Sequence, residues 1–132
     1  EKLSENVSKV SVGWQLEHTM LVLINVAQAI QESNPSDYKF QFKPIRYVIM
    51  TVKKIPRGKA RAPKGVRPAE EERTVESLQA QLQISRLSVQ KLGTLNKNQF
   101  FAHPYFGNMK LKAAIKFLGI HSNHHLASLS YF

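Results

Sequence analysis

Apolar positions recur at helical spacing in four stretches of the chain. From about Ser11 to Ser33, Trp14, Leu16, Met20, Leu21, Leu23, Ile24, Val26, Ala27 and Ile30 occupy most sides of a 3.6-residue repeat. That pattern predicts a well-buried helix, ended by Asn34-Pro35. After Pro44, Ile45, Val48, Ile49 and Val52 repeat at helical spacing up to Pro56, although so many β-branched residues would also suit a strand. A third helix is predicted from about Ala69 to Leu95. It follows Pro68, carries Glu70, Glu71 and Glu72 in the turn where a helix dipole favours anions, and repeats Val75, Leu78, Leu82, Val89 and Leu92. A loop containing Phe100 to Gly107 leads into a fourth helix from about Asn108. No stretch alternates convincingly enough to be read as a strand. Four helices in 132 residues predict an all-α fold, a four-helix bundle formed by residues 1–132 as one domain.

The phase of the fourth helix brings in the first candidate chemistry. With Met109 as zero, Leu111, Ala114, Leu118, Leu129 and Phe132 fall between roughly 140° and 200° around the axis. His125 falls at about 160° and His121 at about 120°, on the same stripe, while His124 falls near about 60°, toward its edge. On the first helix His18 shares a face with Trp14, Leu21, Val22, Asn25 and Ala29, which turns it inward. Imidazoles four residues apart point the same way and can converge on one ion. A third from a facing helix leaves one position of a tetrahedral ion open, the arrangement of catalytic rather than structural zinc. Neutral histidines are also tolerated in cores when hydrogen-bonded, so the residues alone leave the two readings of His18, His121 and His125 level.

Composition narrows the chemistry. The chain has no cysteine, so a metal must be held by His, Asp or Glu. All nine acids precede residue 77, which removes paired-carboxylate catalysis from the segment with most of the histidines. The groups that orient His121 and His125 are then expected to be backbone carbonyls, hydroxyls, water, or an acid such as Glu32 or Asp37, with Glu17 poorly placed beside His18. His103, before Pro104 and ahead of Gly107, is read as shaping a loop, and His124 as facing outward. A part in orienting the ligands or touching substrate is the alternative for both.

Charge and hydropathy bear on partners. The formal net charge is +10, a field that attracts anions. Residues 53–68 form a basic, proline-punctuated loop with Lys53, Lys54, Arg57, Lys59, Arg61, Lys64 and Arg67. It is read as a solvated loop, with Arg57 as an anchor for a small anionic substrate if the loop lies beside the bundle mouth. It holds no aromatic residue to stack on bases, so a nucleic-acid partner is not expected. The longest apolar run, Met20 to Ile24, falls far short of the ~20 residues of a membrane span, and no basic-then-apolar leader is visible. No membrane partner and a cytoplasmic location are the corresponding expectations.

Taken in order along the chain, four segments carry a resemblance. Trp14-Gln15-Leu16-Glu17-His18, Ile55-Pro56-Arg57-Gly58-Lys59-Ala60-Arg61-Ala62-Pro63, His103-Pro104-Tyr105-Phe106-Gly107 and Ile120-His121-Ser122-Asn123-His124-His125-Leu126 together resemble the DinB-like superfamily. Within it they look like a branch of bacterial proteins without an assigned reaction, and the likeness covers nearly the whole chain. The resemblance implies a four-helix bundle that binds a divalent ion, most often zinc or nickel, through one early histidine and a late HxxxH pair, here His18, His121 and His125. It also implies a homodimer. Some members transfer small thiols, which makes a metal-dependent thiol transferase or hydrolase the implied activity, with a small anionic or thiol substrate. An ion with an open position would lower the pKa of a bound thiol or water. A non-catalytic metal-binding or interaction bundle, and a basic nucleic-acid-binding module, are the alternatives.

Overall fold

The computed structural model describes residues 11–56, 62–68 and 73–129. Helix α1 (Val12–Glu32) starts where Ser11 accepts a hydrogen bond from Trp14 N, satisfying one of the free amides of a helix start. Pro35 cannot continue it, and a 3-10 turn at Pro35–Asp37 follows. Pro44 opens helix α2 (Pro44–Val52), its fixed φ suiting a first helical turn. α2 ends at Lys53, whose N–H donates to Ile49 O at 2.7 Å and whose left-handed φ of 58° turns the chain out of the helix.

Helix α3 (Val75–Leu92) starts later than the sequence pattern predicts. Thr74 caps it through Ser77 N, and Ser77 returns the bond to Thr74 N, a reciprocal cap that fixes the start beyond Pro68. The acid in its first turn is Glu76, while Glu70, Glu71 and Glu72 lie outside the described residues. The second correction concerns residues expected to be a loop and the start of the fourth helix. Strands β1 (Phe100–His103) and β2 (Gly107–Lys110) form an antiparallel hairpin, with Phe101 opposite Met109 and His103 opposite Gly107. The three-residue connection Pro104–Phe106 closes on Gly107, whose φ of +70° favours glycine. Met109 therefore fills the core from a strand, fully buried, and helix α4 (Leu111–Leu129) begins only after Lys110.

Among the described residues the fold is mostly helical, all-α but for this hairpin, and α1 is its hub. α3 and α4 both pack on α1, and α2 lies against α4. The core joins Val22, Val26, Ala27 and Ile30 of α1 to Met109, Ala114, Phe117, Leu118 and Ile120, with Ile49 and Leu92 closing it from α2 and α3. Burying Ile30 or Met109 completely contributes about 1.5–3 kcal/mol each. Polar ties align the hairpin with the end of α1: Gln99 donates to Ile30 O and Gln31 O, and Phe100 N donates to Ser33 Oγ at 2.9 Å. Because α4 follows β2 without a loop, these ties also set where the far half of α4 lies against α1.

Candidate metal centre

The buried residues of α4 are Ala114, Phe117, Leu118, Ile120 and Ser128, an arc from roughly 20° to 180° on the wheel used above. Its middle is nearer His121 than His125, a rotation from the stripe read in the sequence, and Phe132 lies outside the described residues. Opposite it, α1 buries Gln15 and His18, three residues apart and so on one face. His18 is 4% exposed, and His121 and His125 are half-buried.

These three imidazoles meet. Their ring centroids are 5.2 Å (His18 to His121), 4.7 Å (His18 to His125) and 4.6 Å (His121 to His125) apart. Each offers one ring nitrogen, and the three nitrogens lie within 4.8 Å of one another. His121 Nε2 and His125 Nε2 are 3.2 Å apart. Imidazole nitrogens held about 2.0–2.1 Å from a tetrahedral ion stand roughly 3.3 Å from each other, so this pair already has the spacing of two ligands.

Hydrogen bonds at Nδ1 set which ring nitrogen carries the proton. His18 Nδ1 donates to Val66 O at 2.7 Å, and His125 Nδ1 donates to Gln15 Oε1. A carbonyl can only accept, so both rings carry the proton on Nδ1 and keep the Nε2 lone pair. Such bonds at the distal nitrogen orient metal-binding imidazoles. His121 differs: its buried Nδ1 has no partner among the described residues. Leaving a buried polar atom unpaired costs about 1–3 kcal/mol, so hydrogen bonding within the cluster does not account for it.

Burial opposes protonation at two of the three rings, His121 and His18. Burial lowers the pKa of His121 to about 2, helped by the neighbouring His125, His18, His124 and His103. Burial also lowers His18, against the upward pull of the Val66 carbonyl. Trp14 stacks on His18 at 4.9 Å, and the Phe117 ring is 5.8 Å from His121, so apolar walls flank the imidazoles. Three imidazole donors with no carboxylate beside them among the described residues form a set suited to a borderline divalent ion such as zinc or nickel.

The remaining candidates lie elsewhere or play other parts. His124 is half-buried with its ring 5.1 Å from that of His125, and it does not belong to the three-nitrogen group. His103 Nδ1 accepts from Tyr105 N and Phe106 N at 3.0 and 3.1 Å, which ties the hairpin turn together as its loop position suggests. Phe117 separates it from the cluster. Glu17 pairs with Arg73, Glu32 accepts from Gln28, and Asp37 lies exposed in the 3-10 turn, so none of the three acids joins the site. Arg57, Lys59 and Arg61 lie outside the described residues.

Two contributors have no sequence signal as strong as a histidine. Gln15 is legible only as a buried amide on the face of His18. The Val66 carbonyl comes from a 3-10 turn at Lys64–Val66, where Gly65 O also accepts from Asn25 at 2.8 Å. What the described part of the basic loop gives this site is carbonyls rather than cations. A groove of about 420 Å³ between α1 and α3 is lined by residues such as Ile24, Gln28, Ile84 and Leu87, and by none of the three histidines. No protein-family model, curated protein or solved structure matches the chain.

Proposed function

We propose that His18, His121 and His125 hold one divalent ion, zinc or nickel, in a DinB-like four-helix bundle, and that the site serves metal-dependent transfer of a small thiol or a hydrolysis. The observation that carries this reading is the opposed use of the ring nitrogens. Two Nδ1 protons are committed to Val66 O and Gln15 Oε1, and the unprotonated Nε2 atoms are left beside a third neutral ring. When bound, the ion would act as a Lewis acid that acidifies a thiol or water entering its open position. The chain's own residues orient the imidazoles, disfavour protonation of His18 and His121 by burying them, and wall the cluster with Trp14 and Phe117.

Cobalt(II) titration of protein made without a histidine tag tests this reading, because cobalt reports its geometry in the visible spectrum. The expected outcome is one equivalent bound with the intense bands of a four-coordinate ion, and a new charge-transfer band when a small thiol is added. Cobalt that binds but ignores thiols, together with no turnover of thiols or esters by the zinc form, would leave a metal-binding bundle without catalysis.

A further inference from the structure

Successive side chains of an extended segment point to opposite sides. Between Tyr38 and Pro44, the side chains turned toward the hairpin are Gln41 and Lys43. Gln41 Oε1 accepts from Asn108 N at 3.1 Å, and a Cβ placed on Gly107 would stand 3.2 Å from Lys43 Cγ. The residues that alternate with them, Phe40 and Phe42, are 66% and 68% exposed. Gln41 and Lys43 lie against the hairpin while remaining exposed, and the phenyl rings face solvent.

α2 buries Ile49 in the core but leaves most of its other apolar side chains outside. Ile45, Val48 and Val52 are exposed, while its cation, Arg46, is half-buried and donates to Asn108 O at 2.9 Å. The Phe42 and Tyr47 rings lie 5.7 Å apart, which joins the two segments into one apolar face. An apolar patch of this kind marks a surface that something else covers. Its border is cationic: Lys39, Lys43, Lys53 and Lys54 are all exposed, and no carboxylate occurs between Asp37 and Glu70.

We propose that this face, built from residues 39–54, docks on an anionic lipid surface. Phenylalanines and aliphatic side chains set among lysines match the boundary between acyl chains and negatively charged headgroups. A single-stranded nucleic acid would stack on Phe40, Phe42 and Tyr47 but leave Ile45, Val48 and Val52 in water. A second copy in the same pose would bring one lysine border against another. No helix among the described residues is long and apolar enough to cross a membrane, and docking of this kind needs none. The short apolar run Met20 to Ile24 bears only on spanning a membrane, not on lying against one.

Co-sedimentation of the full chain with vesicles tests the proposal. The wild type is expected to sediment with mixed phosphatidylcholine and phosphatidylglycerol vesicles, to do so less as salt rises, and to stay in solution with phosphatidylcholine alone. Phe40→Ser with Phe42→Ser should weaken binding about tenfold or more, and Lys39→Glu with Lys54→Glu about fivefold per lysine. Val75→Ser, at an exposed position of α3, should change nothing. All replaced side chains are solvent-exposed, and unchanged melting curves would show that the variants fold. Failure of the wild type to bind the mixed vesicles, or equal binding by the phenylalanine variant, would overturn the proposal. So would binding of a labelled oligothymidylate, or a shift from dimer to monomer in the phenylalanine variant, without any vesicle binding.

Discussion

His103 and the trio of His18, His121 and His125 are all at least half-buried imidazoles, and burial lowers the pKa of His103, His18 and His121, yet they use their nitrogens in opposite ways. At His103 the Nδ1 lone pair accepts two backbone amides, and the ring stacks on Phe106 at 4.2 Å. At His18 and His125 it is the Nδ1 proton that is committed, so the lone pairs left over point into the cluster. The partner of Nδ1, an amide or a carbonyl, thus separates a histidine that closes a turn from those that could hold an ion. Burial and depressed basicity alone do not make that distinction.

The sharpest way to break the comparison is to exchange the two losses. His125→Ala should lower zinc affinity by orders of magnitude, since it removes one of only three ligands, whereas His103→Ala should leave metal stoichiometry intact and lower stability by about 1–3 kcal/mol. Zinc titration and denaturant unfolding of both variants would show whether the effects separate. A smaller effect tests the orienting carbonyls. Gln15→Leu keeps the side chain's bulk but removes the acceptor for His125, and should weaken zinc binding about 10–100-fold with the fold retained. Unchanged affinity would mean that the Nδ1 partner does not prepare the ligand.

Acid should act on the turn histidine in a defined window. His103 has a pKa lowered to about 4 by burial, against 6.5 for an unperturbed histidine. Between those values the unfolded chain takes up a proton that the folded chain refuses. Its contribution is therefore present in full above pH 6.5 and lost as pH falls toward 4. One such histidine sets a limiting slope of about 1.4 kcal/mol per pH unit. His103→Asn, which offers an oxygen to the same turn, should melt with a shallower pH dependence than the wild type over that range. A wild-type slope unaltered by the substitution would show that the ring nitrogen is not the titrating acceptor. The smallest effect is expected at His124→Gln, where zinc affinity should stay within about twofold of the wild type, because one ring nitrogen outside the group leaves all three donors in place. A loss as large as that of His125→Ala would remove the distinction between the neighbours.

Much of this contrast was legible in the residues. Helix phase alone put His18 on the inner face of α1 and His121 and His125 on that of α4, because side-chain direction in a helix follows directly from spacing. Pro35 and Pro44 mark the end of α1 and the start of α2 for the same local reason. The start of α3 was misplaced because Pro68 and the three glutamates are a plausible helix start, whereas the reciprocal cap of Thr74 and Ser77 lacks the Glu or Gln that usually signals one. The hairpin was missed because Phe100-Phe101-Ala102-His103 is not alternating, and Met109 fits a helix stripe as well as a strand face. Gln15 has only a weak signature, and the carbonyl of Val66 has none, since a backbone acceptor is supplied by tertiary approach rather than by residue type.

Metal analysis of the untagged wild type beside His18→Ala tests the central claim most directly. His18 is the ligand supplied by a different helix, so its loss separates a three-histidine site from an isolated HxxxH pair. The account predicts one equivalent of zinc or nickel in the wild type after dialysis and a substoichiometric residue in the variant. Equal metal content in the two proteins, or none in a wild type reloaded with zinc, would contradict it.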